Sequence, residues 1–204
     1  MSERRASVGV CIPFHDSMKV HTALSLVLAT NLLRASGHGM TLHAQPGPYT
    51  HWNREHLVNQ ALQAGVDYAM FVDTDIAFPT DGIIRLIQAE KPIIGGPYNL
   101  KNDKSESVIK MPGQNGKRFS SGHFDFPDEP FEVAAIGTGF MLIDLQAISE
   151  LERPLFPCDF GDGDSDGGTM LGEDIAFCLK AREAGITIWC HPKVQVGHIG
   201  DKVY

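Results

Sequence analysis

The chain has 204 residues, 43% hydrophobic and 21% charged, with 17 basic against 25 acidic residues and a formal net charge of −8. That hydrophobic fraction excludes a disordered chain, and the length fits one domain with a core of its own. The acidic balance argues against a general nucleic-acid or membrane coat, and no stretch approaches the roughly 20 unbroken apolar residues of a membrane span.

In chain order, the charged start MSERRAS leads only into a short apolar strand, so no signal peptide is expected. Val8–Ile12 predicts a buried strand ended by Pro13. Met18–Ala35 predicts a helix stopped by Gly37 and Gly39. Its most apolar part, Ala23–Leu33, is broken by Ser25, Thr30 and Asn31 and reads as a core helix. A strand at Met40–Ala44 and a helix at Trp52–Ala64 follow. Tyr68–Val72 is a continuous apolar strand that runs straight into Asp73. Thr80 is a plausible N-cap for a helix over Asp81–Ala89, and Pro92–Gly95 starts a fourth strand. This alternation predicts an α/β fold with a mostly parallel central sheet flanked by helices.

Beyond residue 100 the pattern turns mixed. Strands are expected at Glu132–Ile136 and Phe140–Ile143, on either side of Gly137-Thr138-Gly139. A short helix over Leu145–Leu151, a Pro/Gly/Asp loop, a helix over Glu173–Ala184 and a strand at Ile186–Cys190 complete the reading. Residues 1–100 and 101–204 are expected to be two halves of a single domain. The four cysteines (Cys11, Cys158, Cys178 and Cys190) form no CxxC pair, which suits reduced thiols in a soluble, cytoplasmic protein.

Charge is unevenly spread. Lys101, Lys104, Lys110, Lys117 and Arg118 face only Asp103 and Glu106 in their stretch, whereas residues 120–174 hold thirteen acids and a single base, Arg153. Two solvated loops would explain this. So would a basic lip for a polyanion beside an acidic pocket for a cation.

The most informative string is YAMFVDTDIAFP, residues 68–79. It places Asp73 at the carboxyl end of a central strand, where open α/β sheets bind ligands. Asp73 and Asp75 lie two apart, and carboxylates that close repel unless a cation or proton sits between them. Mg²⁺ or Mn²⁺, completed by phosphate oxygens, answers that need; a turn capped by two Asp side chains is the plainer alternative. Two more strings carry acids or imidazole into strategic places. Glu173 and Asp174 open a helix, where the macrodipole alone would favour them, and His198 lies between glycines just after a strand.

These strings resemble, in order and spacing, the GT-A class of nucleotide-sugar-dependent glycosyltransferases, closest to the small family-two-like enzymes of bacteria and phages. The likeness runs through VGVCIPF, NREHLVNQAL, FVDTDIAFP, IIGGPYNLK, AIGTGFMLI, LGEDIAFCLKAREAGITIWCHP and VGHIG. The resemblance implies a single GT-A domain that moves a sugar from a nucleoside diphosphate, uridine diphosphate by default, to an acceptor hydroxyl. It implies that Pro13, Phe14, Arg54, Asp73 and Thr74 serve the nucleotide sugar, and that Gly137, Thr138 and Gly139 line the sugar and acceptor pocket. Asp73, Asp75 and His198 would hold Mn²⁺ or Mg²⁺, with Asp75 the direct ligand and Asp73 nearer the ribose or a metal-bound water. Asp174 would act as base and Glu173 would orient the acceptor. Some phage relatives are thought to modify hydroxymethylated DNA bases, so the Lys101–Arg118 lip is a candidate phosphate contact; glycan, lipid-linked or protein acceptors stay open.

The chemistry asks for the same residue types. A departing nucleoside diphosphate gathers negative charge that a divalent ion stabilises, and a carboxylate across the sugar can take the acceptor's proton. Three rival readings stand beside this one. Asp162, Asp164, Asp166, Gly167 and Glu173 fit the EF-hand calcium-loop pattern, although Pro154 and Pro157 leave no entering helix. A haloacid-dehalogenase-like phosphatase would use Asp73 as nucleophile and Asp75 as acid, although its motif belongs on a first strand. A non-catalytic binding module would keep the metal site and lack the base. Failing calcium, the glycine-rich 160–168 loop reads as a flap over the acceptor.

Overall fold

The computed structural model describes residues 5–102, 106–113, 119–120, 125–160 and 170–200. Lys104, Lys117 and Arg118 of the basic lip, and Asp162, Asp164 and Asp166 of the calcium-like loop, lie outside them.

The first half alternates as its hydrophobic pattern dictates: β1 (Ser7–Phe14), α1 (Val20–Ala35), β2 (Gly39–Pro46), α2 (Thr50–Gln63), β3 (Tyr68–Val72), β4 (Ile76–Ala77), α3 (Gly82–Gln88) and β5 (Ile93–Gly95). The second half holds β6 (Met111–Pro112), β7 (Phe119–Ser120), β8 (Phe131–Val133), β9 (Phe140–Asp144), β10 (Asp159–Phe160), β11 (Met170–Leu171), α4 (Glu173–Glu183), β12 (Ile188–Cys190) and β13 (Gly197–His198). Seven strands form one sheet in the order β2-β1-β3-β9-β5-β12-β8. β1 pairs parallel with β2 and β3, and β12 parallel with β5, while β9 runs antiparallel between β3 and β5, as does β8 beside β12. The mostly parallel sheet is therefore as expected. The antiparallel insertion of β9 is what brings Gly137–Gly139 to the carboxyl end of β3.

The core lies on both faces of β3, all five residues of which are buried. Phe71 meets Phe156 edge-on at 5.5 Å between ring centroids, and Phe156 stacks on Phe177 of α4 at 4.7 Å. Burying each such side chain contributes roughly 1.5–3 kcal/mol, so α2, α4 and the sheet are held by apolar contact before any polar group is counted. Cys11 and Gln45 reach the backbone of Leu57 and the side chain of Gln60, so odd positions of β1 and β2 face α2 and even positions face α1.

Four local expectations are corrected. Thr80 does not cap α3: Asp81 holds that place, and its carboxylate accepts from Arg85 Nε at 2.7 Å, one turn further on. No helix forms over Leu145–Leu151, which is a run of turns. Asp144 captures the Gln146 amide at 2.9 Å, and seven residues gain too few helical bonds to offset nucleation. The apolar spacing there reflects burial of Leu145 and Ile148. The predicted strand to Ile136 stops at Val133, because Lys110 takes up the backbone of Ala135. Nor is α1 a core helix all round. Thr22, Ala29 and Leu33 are buried against the sheet, while Val20, Leu24, Val27 and Leu28 on the opposite face are more than half exposed.

No helix among the described residues is long and apolar enough to cross a membrane. All four cysteines are free thiols, with Cys158 alone exposed.

Candidate active site

The Asp73-Thr74-Asp75 turn is fixed from three directions. The Asp73 amide donates to the Gly139 carbonyl at 2.9 Å, which carries the β3–β9 pairing one step past the strand. The Thr74 carbonyl accepts from the Lys19 amide at 2.8 Å and from Thr22 Oγ1 at 3.0 Å, so the start of α1 pins the turn. The Asp75 carbonyl accepts from the Ile199 amide at 2.7 Å, beside a two-stranded ribbon in which His198 pairs with Ile76. That ribbon is the device that carries His198 to the turn.

The two carboxylates then part. Asp75 Oδ2 faces His198 Nε2 at 3.6 Å and is also contacted by Lys101 Nζ. His198 Nδ1 lies 3.0 Å from the Asn99 carbonyl; a carbonyl can only accept, so Nδ1 carries a proton and Nε2 is the nitrogen turned to Asp75. Tyr98 packs edge-on against the same imidazole, at 5.4 Å between centroids. Burial would raise the Asp75 pKa, but bonds from His198 and Lys101 outweigh it and draw it down to about 2.

Asp73 turns instead to Arg54. Nη2 of Arg54 donates to both Asp73 oxygens at 2.9 and 3.0 Å, and Nε donates to Glu173 at 3.3 Å. Arg54 is only 3% exposed, lies 5.4 Å above the Phe71 ring, and has Nη1 buried with no partner among the described residues. Burial raises the Asp73 pKa despite the pull of Arg54. Burial and then Glu173 raise that of Asp174, which sits on the first turn of α4, close enough to Arg54 and Tyr98 to influence both. Four carboxylates (Asp73, Asp75, Glu173, Asp174) thus share two cationic side chains, Arg54 and Lys101. Among the described residues the cluster is short of positive charge by two.

Pro13, Phe14, Asp73, Thr74 and Asp75 share the wall of one cleft of about 190 Å³ with Thr50 and Asn53. Gly137, Thr138 and Gly139 are buried behind it. Their smallness serves Tyr98, whose hydroxyl accepts from the Gly139 amide at 2.9 Å. A Cβ on Gly139 would sit 2.6 Å from that hydroxyl and 3.2 Å from Asp73 Oδ2. Gly139→Ala is therefore expected to destabilise the fold by about 1–3 kcal/mol, measured by urea denaturation, as overpacked cores do. An unchanged midpoint would show that Tyr98 yields freely.

Among the described residues no cluster of three or more His, Cys, Asp or Glu side chains is arranged to hold a metal ion. The structure brings Asp75 and His198 together and engages both Asp73 oxygens with Arg54. Asp75 with His198 still fits a divalent ion as an oxygen and nitrogen pair, its remaining positions open to phosphate and water, and the charge deficit of two fits it too. Sequence reasoning placed Arg54 beside the nucleotide but missed its grip on Asp73 and Glu173. It missed Tyr98 altogether, for which a tyrosine between Pro97 and Asn99 gives no signal.

The fold, a mixed seven-stranded sheet flanked by helices, is the one seen in solved glycosyltransferases of the GT-A type. A197 from STIV superposes with a TM-score of 0.66 at 17% identity, over 97% of this chain and 87% of that one. TarS of S. aureus (residues 1–349, in complex with UDP-GlcNAc) gives 0.54 at 14% identity, over 93% of this chain and 57% of that one. A Drosophila β1,4-galactosyltransferase 7 mutant, in complex with manganese, UDP-Gal and xylobiose, gives 0.50 at 15% identity, over 96% and 71%. No protein-family model and no curated protein sequence matches the chain.

Proposed function

We propose that this protein is a metal-dependent glycosyltransferase that moves a sugar from a nucleoside diphosphate, UDP first, to an acceptor hydroxyl. The observation that carries the reading is the carboxylate cluster at the end of β3, two positive charges short among the described residues, in which Asp75 lines the cleft and faces His198. The fold's solved neighbours bound to UDP-GlcNAc and to UDP-Gal with manganese lend it support.

Pro13, Phe14, Thr50 and Asn53 would receive the nucleoside, with Asn53 held in place by its bond to the Gly47 carbonyl at 2.9 Å. Asp75 and His198 would hold Mn²⁺ or Mg²⁺, which supplies Lewis-acid stabilisation of the leaving diphosphate. Arg54 fixes Asp73 and Glu173 so that neither carboxylate swings into the donor's phosphates. Asp174 takes the proton from the acceptor hydroxyl, its raised pKa making it a stronger base than an exposed Asp. A phosphatase with Asp73 as nucleophile is disfavoured, because both its oxygens already accept from Arg54.

Calorimetry of UDP and GDP with and without Mn²⁺ tests the proposal. Mn²⁺ should strengthen UDP binding, and Asp75→Ala should abolish that gain, a loss of about 10–100-fold for a charge-assisted contact. Nucleotide affinity indifferent to the metal in both proteins would sink it.

A further inference from the structure

Lys101 occupies an unexpected place for a member of a basic lip. Its ammonium contacts Asp75 Oδ2, the same oxygen that His198 Nε2 faces at 3.6 Å. A divalent ion held by Asp75 and His198 would lie within contact distance of that ammonium, and the two like charges would repel strongly. One oxygen cannot serve both.

The local backbone keeps the segment still while leaving the side chain free. Asn99 is tied through its carbonyl to His198, the Leu100 amide donates to the Glu106 carbonyl at 2.7 Å, and the Asn102 amide to the Leu100 carbonyl at 2.8 Å. The Lys101 side chain is one-third exposed, on a flexible four-carbon stem, so it can leave Asp75 without disturbing the core. Arg54 is the contrast: buried, shared between two carboxylates, and permanent.

We propose that Lys101 is a stand-in for the divalent cation. It neutralises Asp75 while no donor is bound, and releases that carboxylate to the cation when the donor's diphosphate arrives to accept the ammonium in exchange. The inference rests on the glycosyltransferase reading of the same site. Its consequence is that cation and nucleotide bind as a coupled pair: a cation arriving alone strands the ammonium, whereas one arriving with a diphosphate does not.

The test is a set of Mn²⁺ titrations of the full chain, followed by electron paramagnetic resonance of the free ion, with and without UDP, for the natural protein and Lys101→Met. Without UDP, Lys101→Met should bind Mn²⁺ about tenfold tighter, the scale of one charge-assisted contact removed. The factor by which UDP strengthens Mn²⁺ binding should be several-fold smaller in the variant. A lysine that merely adds positive charge would shift Mn²⁺ affinity equally with and without UDP, and that result overturns the exchange. Failure of Mn²⁺ to bind either protein, even with UDP, would refute the metal-dependent reading itself. Acylation of Lys101, followed by mass spectrometry on the natural protein, gives an answer that does not depend on the variant's folding. The amine should be protected alone, exposed by Mn²⁺, and protected again when UDP is added; a rate unchanged across the three states overturns the proposal.

Discussion

Arg54→Met should destabilise the protein by about 3–5 kcal/mol at neutral pH, the usual cost of stripping one partner from a buried ion pair. Methionine nearly matches the length of the lost stem, so the apolar packing of the stem changes little. What remains is Asp73 and Glu173 without their shared counter-charge, and Asp174 nearby. The pH dependence identifies the cause. Burial already raises the Asp73 and Asp174 pKa values above those of the unfolded chain, so the native state holds their protons more tightly and loses stability as pH rises through that window. Removing Arg54 lifts Asp73 further. The deficit against the natural protein should therefore be small at acid pH, where these groups are protonated in both states, and should grow toward neutrality. Urea denaturation across the acid-to-neutral range would show it. Adding Asp73→Asn should recover part of the loss. A deficit of equal size at every pH would mean that shape, and not charge, is what Arg54 provides.

The second large effect is expected in turnover. Asp174→Asn should lower kcat about 10²–10⁴-fold, the range that general bases contribute, while UDP affinity in the presence of Mn²⁺ stays nearly unchanged. The substitution is close to isosteric, and the bond from the Ile175 amide at 2.8 Å can be kept by the amide oxygen, so the start of α4 survives. The natural protein should lose activity on acidification at a higher pH than an ordinary aspartate would dictate, since burial and Glu173 both raise Asp174. That acid limb should be missing from the residual activity of the variant. Lost nucleotide binding with turnover would instead make Asp174 a part of the donor site. Full activity would favour a different base, or a protein that binds without catalysing.

The fold was legible wherever burial alone sets the pattern. Tyr68–Val72 is buried on both faces and announces itself as a continuous apolar run, and Gly65 and Gly185 stop their helices with positive φ of 67° and 81°. What escaped was built from short pieces. β4 and β13 have two residues each, too few for any periodicity, yet they decide where His198 stands. The strand order was equally hidden, because nothing in Phe140–Asp144 says that it runs antiparallel between β3 and β5. At the site, residue type was readable and partnership was not. A local string can show that Asp73 needs a cation nearby, but the cation that answers comes from a helix nineteen positions earlier.

The ribbon between β4 and β13 also sets an order of events during synthesis. β1, β2 and β3 can pair as soon as they leave the ribosome, since each is joined to the next by a single helix. The Asp75–His198 pair cannot form until residues beyond Val196 are free to fold back across most of the molecule. A chain truncated before Gly197 would keep every strand of the sheet and the Arg54–Asp73 bridge, and would lack the imidazole. Nascent chains of this protein would thus acquire their architecture well before their reactivity.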